Sequence, residues 1–182
     1  MDQQLEAEII TRILNGDRQA YALLVDEYRS PVYNLAYRMT GNFEDANDLA
    51  QETFMRAYKN LWRFNPHKFF FTWLYTISLN IIRNHLRKKR KVAAEYVPGN
   101  TQSSAQAEDK ENPEQLFILN QQATALDACL QKLSVDLREA IVLRFYAELS
   151  FEEIATISGA SVSAVKMRVY RALERLKQLM SE

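Results

Sequence analysis

The hydrophobic positions of this chain recur at the three- and four-residue intervals of one helix face, and no stretch of useful length alternates with the two-residue period of a strand. Leu5, Ile9, Ile10, Ile13 and Leu14 outline a short first helix closed by Asn15-Gly16, with Asp17 placed to cap the next. A second helical pattern covers residues 18–39 and contains Pro31, whose missing amide predicts a kink or split near Arg29-Ser30. Thr40-Gly41-Asn42 ends it, a third helix is predicted over 43–61, and Phe64-Asn65-Pro66-His67 interrupts the pattern. The fourth helix runs from the aromatic cluster Phe69-Phe70-Phe71 into the basic run that ends at Lys91. Phe70, Trp73, Leu74, Ile77 and Ile81 share its core face, but three consecutive rings cannot all point inward, so at least one belongs on the surface.

Residues 92–111 change character. Pro98-Gly99-Asn100-Thr101-Gln102-Ser103-Ser104 and the acids that follow hold too little apolar surface to offset ordering, which predicts a flexible linker. Asn112-Pro113-Glu114-Gln115 restarts a helix, with Asn112 as its cap and Pro113 in the first helical position. Further helices are predicted over 134–147, 150–158 and 161–180. The expected fold is all-α: a four-helix N-terminal domain (1–91), a linker (92–112) and a four-helix C-terminal domain (113–182). With 182 residues, 47% of them apolar and only 4 Gly and 4 Pro, the chain can bury such cores.

Net charge is zero, which by itself argues against a nucleic-acid partner, but the charges are segregated. Residues 59–91 carry nine bases and no acid, whereas residues 1–58 carry ten acids against five bases. Screening confines electrostatics to about 8–10 Å, so a phosphate responds to the local patch and hardly to the total. No apolar run reaches the roughly 18 residues of a membrane span, and the N-terminus lacks a targeting pattern, so the chain reads as cytoplasmic, with no membrane insertion. The single Cys129, with only His67 and His85 beside it in composition, completes neither a disulfide nor a zinc site and reads as a small buried residue. No cofactor, metal or catalytic group is called for.

Three local patterns carry chemistry. Ser150-Phe151-Glu152-Glu153 is a capping box; Ile154 and Ala155 face inward; Gly159 supplies a turn; and Ser161-Val162-Ser163 opens another helix, so the stretch reads as a helix-turn-helix. Val162, Val165, Val169, Ala172 and Leu173 are its predicted buried stripe, leaving Ser163, Ala164, Lys166, Met167, Arg168, Tyr170 and Arg171 to reach bases and phosphates. In the fourth helix Arg83, Arg87, Arg90 and Lys91 recur at helical spacing and form one basic stripe beside the aromatic cluster, a pairing suited to unstacked bases and their phosphates. Glu44, Asp45, Asp48 and Glu52 make an acidic ridge on the third helix. Carboxylates so spaced could hold magnesium for phosphodiester cleavage, but with no His or Lys partner a protein-binding face is the better reading.

In this order the patterns resemble the extracytoplasmic-function (ECF) group of bacterial RNA polymerase sigma factors. Residues 45–58 (DANDLAQETFMRAY) look like the polymerase-binding helix of that family, residues 70–80 (FFTWLYTISLN) its promoter-melting helix, and residues 149–155 with 165–172 its C-terminal DNA reader. The resemblance implies that Asp45, Asp48, Gln51, Glu52 and Phe54 dock on the β′ clamp coiled coil of core RNA polymerase. It implies capture of the −10 element by the loop from Arg63 to Phe69, with Phe64, Asn65, Lys68, Asn80, Arg83, Arg87 and Arg90 as contacts. It further implies that Ser161, Ser163, Ala164, Lys166, Met167, Arg168, Tyr170 and Arg171 read the −35 element while the second domain meets the β flap and the linker threads near the RNA exit path. A stress or envelope regulon and an anti-sigma factor as a further partner belong to the same implication. Asn47, Phe69, Phe71 and Ala164 depart from the residues usual in the family and bear on promoter preference. A free-standing helix-turn-helix regulator would account for residues 134–180 but would leave the aromatic-basic helix and the acidic ridge without a task.

Overall fold

Every regular element among the described residues is helical. The structure is a computed structural model, and it describes residues 2–66, 68–95 and 125–181. The expected linker beyond residue 95 and the helix restart at Asn112 lie outside them.

Helix α1 (Gln3–Leu14) buries Ile9, Ile10 and Ile13, whereas Leu5 and Leu14 at its ends stay about half exposed. Asp17 then accepts a hydrogen bond from the Ala20 amide, capping the 3-10 turn Arg18–Ala20 that leads into α2 (Tyr21–Thr40). Of the kink or split expected at Pro31, the split does not occur: α2 runs through it as one helix. The ring removes one backbone donor, but Leu24, Tyr28, Val32, Leu35, Ala36 and Met39 line one buried face on both sides of it, and the Tyr75 hydroxyl donates to the Pro31 carbonyl at 3.1 Å. Gly41 ends α2 in the left-handed region, at φ 66°, and a Cβ there would meet Cδ of Gln131 at 2.7 Å. Asn42 caps α3 (Phe43–Asn60) by accepting from the Asp45 amide, and Glu44 and Asp45 in the first turn suit the positive end of the helix dipole.

A 3-10 turn, Leu61–Arg63, finishes the third helical stretch and leads to α4 (Phe70–Glu95). Helix α4 passes Lys91 and so takes the first residues of the expected linker, because Val92-Ala93-Ala94-Glu95 contains no residue that stops a helix. Helices α2, α3 and α4 pack pairwise into one bundle.

The C-terminal half begins, within the described residues, with helix α5 at 125–132. Helix α6 (Val135–Ile141) continues into a π turn over Val142–Tyr146, and α7 (Phe151–Ser158) and α8 (Val162–Leu179) complete this half. Its own core joins Cys129, Leu130, Leu133, Ile141, Ala172 and Leu176. The two halves also meet. A larger buried cluster runs from Ile9 through Leu79 and Ile82 of the N-terminal half to Val142, Leu143, Ile154 and Ile157 of the C-terminal half, with α7 lying against α4.

Candidate functional site

The acidic ridge divides into parts with different neighbours. Asp45, 23% exposed, points across to α4, where Lys89 Nζ donates to its carboxylate at 2.8 Å and His85 Nε2 lies 3.3 Å away. Burial works to raise its pKa, but the Lys89 and His85 contacts outweigh burial and hold the carboxyl below the ordinary aspartate range. Asp45, expected to face a polymerase, is therefore occupied in joining α3 to α4. Glu52 pairs along its own helix with Arg56. Asp48 and Gln51 remain exposed and edge a groove of about 610 Å³ between α2 and α3, whose floor includes Phe54 and whose far wall carries Val25, Arg29 and Tyr33. Phe54 itself is 9% exposed, and its carbonyl accepts from the Tyr21 hydroxyl. Arg29 and Tyr33 were missed from the sequence because the pattern around Pro31 hid which face of α2 they occupy.

The loop before α4 sorts its aromatics by burial. Phe64, expected to touch DNA, is instead core: it is 8% exposed, its ring 5.6 Å from that of Phe70 and 5.4 Å from that of Trp73. Phe64 leaves the 3-10 turn with extended backbone, φ −66° and ψ 132°, which places its ring against Phe70 and Trp73 in the first turn of α4. Arg63, Asn65, Lys68 and Phe69 are exposed, and the Lys68 amide donates to the Asn65 carbonyl at 2.9 Å, tightening the loop. Of the three consecutive phenylalanines, Phe70 is fully buried, Phe71 packs at a tilt against Tyr75 and Phe69 stands 59% exposed. Trp62 is 67% exposed, with the Arg63 guanidinium 4.7 Å from its ring, and is a stacking surface that sequence reasoning missed. Its position four residues after Tyr58 was the available signal, since both fall on the outer face as α3 runs out.

On α4, Asn80, Arg87 and Arg90 are exposed, and Arg87 leans on Asn84 at 3.1 Å. Arg83 leaves the predicted stripe. Its guanidinium grips Glu139 of α6 with two hydrogen bonds, Nε to Oε2 at 2.8 Å and Nη2 to Oε1 at 2.6 Å, and this carboxylate raises its pKa above the ordinary arginine value. No spacing rule could have announced a partner 56 residues away.

The helix-turn-helix is assembled as its caps require. Ser150 and Glu153 exchange both capping-box bonds, Gly159 takes φ 68° at the turn, and the Ser161 hydroxyl accepts from the Ala164 amide at 3.2 Å to start α8. Val165, Val169, Ala172 and Leu176 are buried, and Val162 half-buried. Leu173, expected in that stripe, is 41% exposed, because the buried face rotates onto Leu176 beyond Ala172. Ser161, Ser163, Lys166, Met167, Tyr170 and Arg171 form an open outer face, with Ala164 and Arg168 half-buried at its margins. Tyr170 at 67% and Met167 at 50% exposure add apolar reach to a basic surface. Among the described residues no cluster of His, Cys, Asp or Glu could hold a metal ion, and no helix is long and apolar enough to cross a membrane.

Comparison with known proteins meets the same segments. Residues 24–92 match the family Sigma-70 region 2, and residues 123–176 match Sigma-70, region 4. The ECF RNA polymerase sigma factor SigW of Bacillus subtilis is 36% identical over 174 residues, covering 93% of each chain. The RNA polymerase sigma-H factor of Pseudomonas aeruginosa is 32% identical over 181 residues, covering 97% of this chain and 94% of its own. Among solved structures, CnrH in complex with the cytosolic domain of CnrY superposes with TM-score 0.70 at 27% identity, over 96% of both chains. The sigma factor RpoE in complex with the anti-sigma factor NepR from Bartonella quintana gives TM-score 0.70 at 25% identity, over 88% of this chain and 96% of its own. Matched along nearly its whole length and with both regions in the same order, this chain belongs to the ECF family of RNA polymerase sigma factors.

Proposed function

We propose that the groove between α2 and α3 seats the β′ clamp coiled coil of core RNA polymerase, with Asp48 and Gln51 on its rim and Phe54 in its floor. The observation that carries this is the division of the acidic ridge: Asp45 is neutralised within the chain, whereas Asp48 is exposed beside an apolar-floored cleft. A groove edged by an unneutralised acid suits a basic helical partner.

The loop from Trp62 to Phe69, with Asn80, Arg87 and Arg90 behind it, is the −10 surface in this reading. Exposed rings there can stack on a base once it leaves the duplex, and the guanidinium groups hold its phosphates. The outer face of α8 reads the −35 duplex through the major groove. Residues 1–91 and 113–182 are the two functional regions, the segment between them runs along the polymerase, and the second region meets the β flap. The protein works in the cytoplasm, by binding and not by catalysis. By analogy with RpoE and NepR, an anti-sigma protein is a further partner, and the output is a stress-type regulon.

Run-off transcription with core polymerase, with and without the protein, on a genomic fragment library tests the assignment. New initiation sites that depend on the protein are expected, while the protein alone binds duplex promoter DNA weakly because few phosphate contacts are available to it. Tight sequence-specific binding by the protein alone, without stimulated initiation, would return the reading to a free-standing regulator.

A further inference from the structure

Phe151, the first residue of α7, carries two cations on one ring. The central carbon of the Arg144 guanidinium lies 5.1 Å from the ring centre and Lys166 Nζ lies 5.5 Å from it, both within the roughly 6 Å at which a cation feels the negative face of an aromatic. The three residues come from three elements: the π turn Val142–Tyr146, the start of α7 and the second turn of α8.

Local geometry builds this cluster. After the π turn the chain reverses through Glu148, whose φ of 54° is unusual for a residue with a side chain. The reversal brings the Leu149 carbonyl to Arg144, whose Nη1 donates to it at 2.8 Å. Arg144 is thus fixed from its own turn, and the half-buried ring of Phe151 is fixed by packing on the large core cluster. Lys166 is exposed on α8, and the ring is what its ammonium rests against.

We propose that Phe151 is a positioning residue for DNA: its ring holds the Lys166 ammonium towards α7, where it meets a backbone phosphate of the −35 duplex and not a base edge. The inference rests on the reading of α8 as the −35 helix. It goes beyond that reading in giving Phe151 a task and in separating Lys166 from the side chains that read bases.

Two arguments support it. In a helix-turn-helix the second helix lies in the major groove while the first crosses the DNA backbone. A side chain of α8 drawn onto the first residue of α7 is therefore drawn out of the groove and towards that backbone. Lysine binds phosphate as a point charge, so placing one atom is sufficient. The second argument is entropic. A lysine on a four-carbon stem gives up rotamer freedom when it binds, and a ring that holds it beforehand removes part of that cost.

The test uses holoenzyme assembled with the full chain and a promoter fragment recovered by run-off transcription, together with copies of that fragment carrying single base changes in the upstream element. Affinity is measured by fluorescence anisotropy at several salt concentrations. Lys166→Gln should reduce the salt slope by about one and weaken binding about fivefold at 0.15 M salt, leaving the penalty for each base change as in wild type. Phe151→Leu, which keeps apolar bulk without a ring, should weaken binding about two- to fivefold with the salt slope retained, and Phe151→Tyr should restore wild-type affinity. In the double variant Phe151→Leu, Lys166→Gln the loss should be no greater than for Lys166→Gln alone, an equality that a merely structural role for Phe151 would not produce.

Losses that add in the double variant would overturn the proposal, as would wild-type affinity in Phe151→Leu. A Lys166→Gln variant with an unchanged salt slope and altered base preferences would make Lys166 a base reader and overturn it too, and this arm stands even where urea melts show Phe151→Leu to be destabilised. If Arg171→Ala and Lys166→Gln both left promoter binding untouched, the −35 reading of α8 itself would fail, which is a different result from any of these.

Discussion

Asp45 and Asp48 stand three residues apart on one helix, and the geometry assigns them opposite fates under substitution. Reversing Asp48 to Arg places a cation on the rim of the α2–α3 groove, which Arg29 also lines, facing the proposed basic clamp helix. At about 6 Å and an effective dielectric near 20, each lost attraction is worth about 3 kcal/mol, and its replacement by repulsion a similar amount again. Screening at a solvent-exposed rim removes at least half, which leaves about 3 kcal/mol, or roughly a hundredfold in affinity for core enzyme. The isolated protein should lose no more than about 0.5 kcal/mol, as for an ordinary surface change. Asp45→Asn should behave the other way. It weakens the links to Lys89 and His85 across α3 and α4 and should cost about 1 kcal/mol of folding stability, with polymerase affinity almost untouched. The pH dependence has a definite sign. A carboxyl whose folded pKa is depressed contributes its stability above the ordinary value of 3.8 and loses it as the pH falls below that value, so wild type and Asp45→Asn should differ at neutral pH and converge in acid. Co-purification with core enzyme, fluorescence anisotropy and urea melting separate the two effects. Loss of polymerase binding in Asp45→Asn equal to that in Asp48→Arg would refute the division of the ridge.

Three further outcomes follow from the same geometry. Leu176→Ala should lower stability by about 2–3 kcal/mol in urea melts and Leu173→Ala by well under 1, reflecting the rotation of the buried face of α8; equal losses would contradict it. Arg168→Ala and Arg171→Ala should weaken upstream-element binding by the holoenzyme, by about 1–3 kcal/mol for a base contact, or with a salt slope reduced by about one for a phosphate contact, measured by titration at several ionic strengths. Trp62→Ala and the double variant Asn65→Ala, Lys68→Ala should leave closed complexes intact and reduce strand opening, scored by permanganate reactivity; wild-type opening in both on several promoters would remove the loop from the mechanism.

The sequence made the helices and most of their ends readable because those depend on neighbours within four residues. Ser150 with Glu153, Gly159, Asn42 and Gly41 all cap as their types predict. The outward aromatic among Phe69–Phe71 was legible too, since a helix start cannot bury three rings in succession. Long-range partners were not. Arg83 fits its stripe by spacing and departs from it through an acid 56 residues away, and Asp45 turns from the ridge towards Lys89 of another helix. A split at Pro31 was expected for a related cause: the local cost of the ring is visible in the sequence, whereas the buried row that keeps the helix continuous becomes visible only when α3 and α4 are in place. Phe64 shows the same limit, because a ring beside a proline reads as exposed loop until Phe70 and Trp73 are found beneath it.

Gly41 sits under two constraints that substitution can separate. Its left-handed backbone disfavours most side chains but is mildest for asparagine. Its neighbour Gln131, held by hydrogen bonds to Arg38 and Arg138, stands where any Cβ would go, whatever that carbon carries. Gly159 has nearly the same backbone angle, at φ 68° against 66°, with nothing within 4 Å of a built Cβ. The two glycines are thus an internal pair of gauges, one sensitive to the distant half of the chain and one blind to it. Asparagine at position 159 should therefore cost little in urea melts of the full chain, and at position 41 distinctly more. The tolerance of a single corner then reports, without a label, whether the two halves pack against each other.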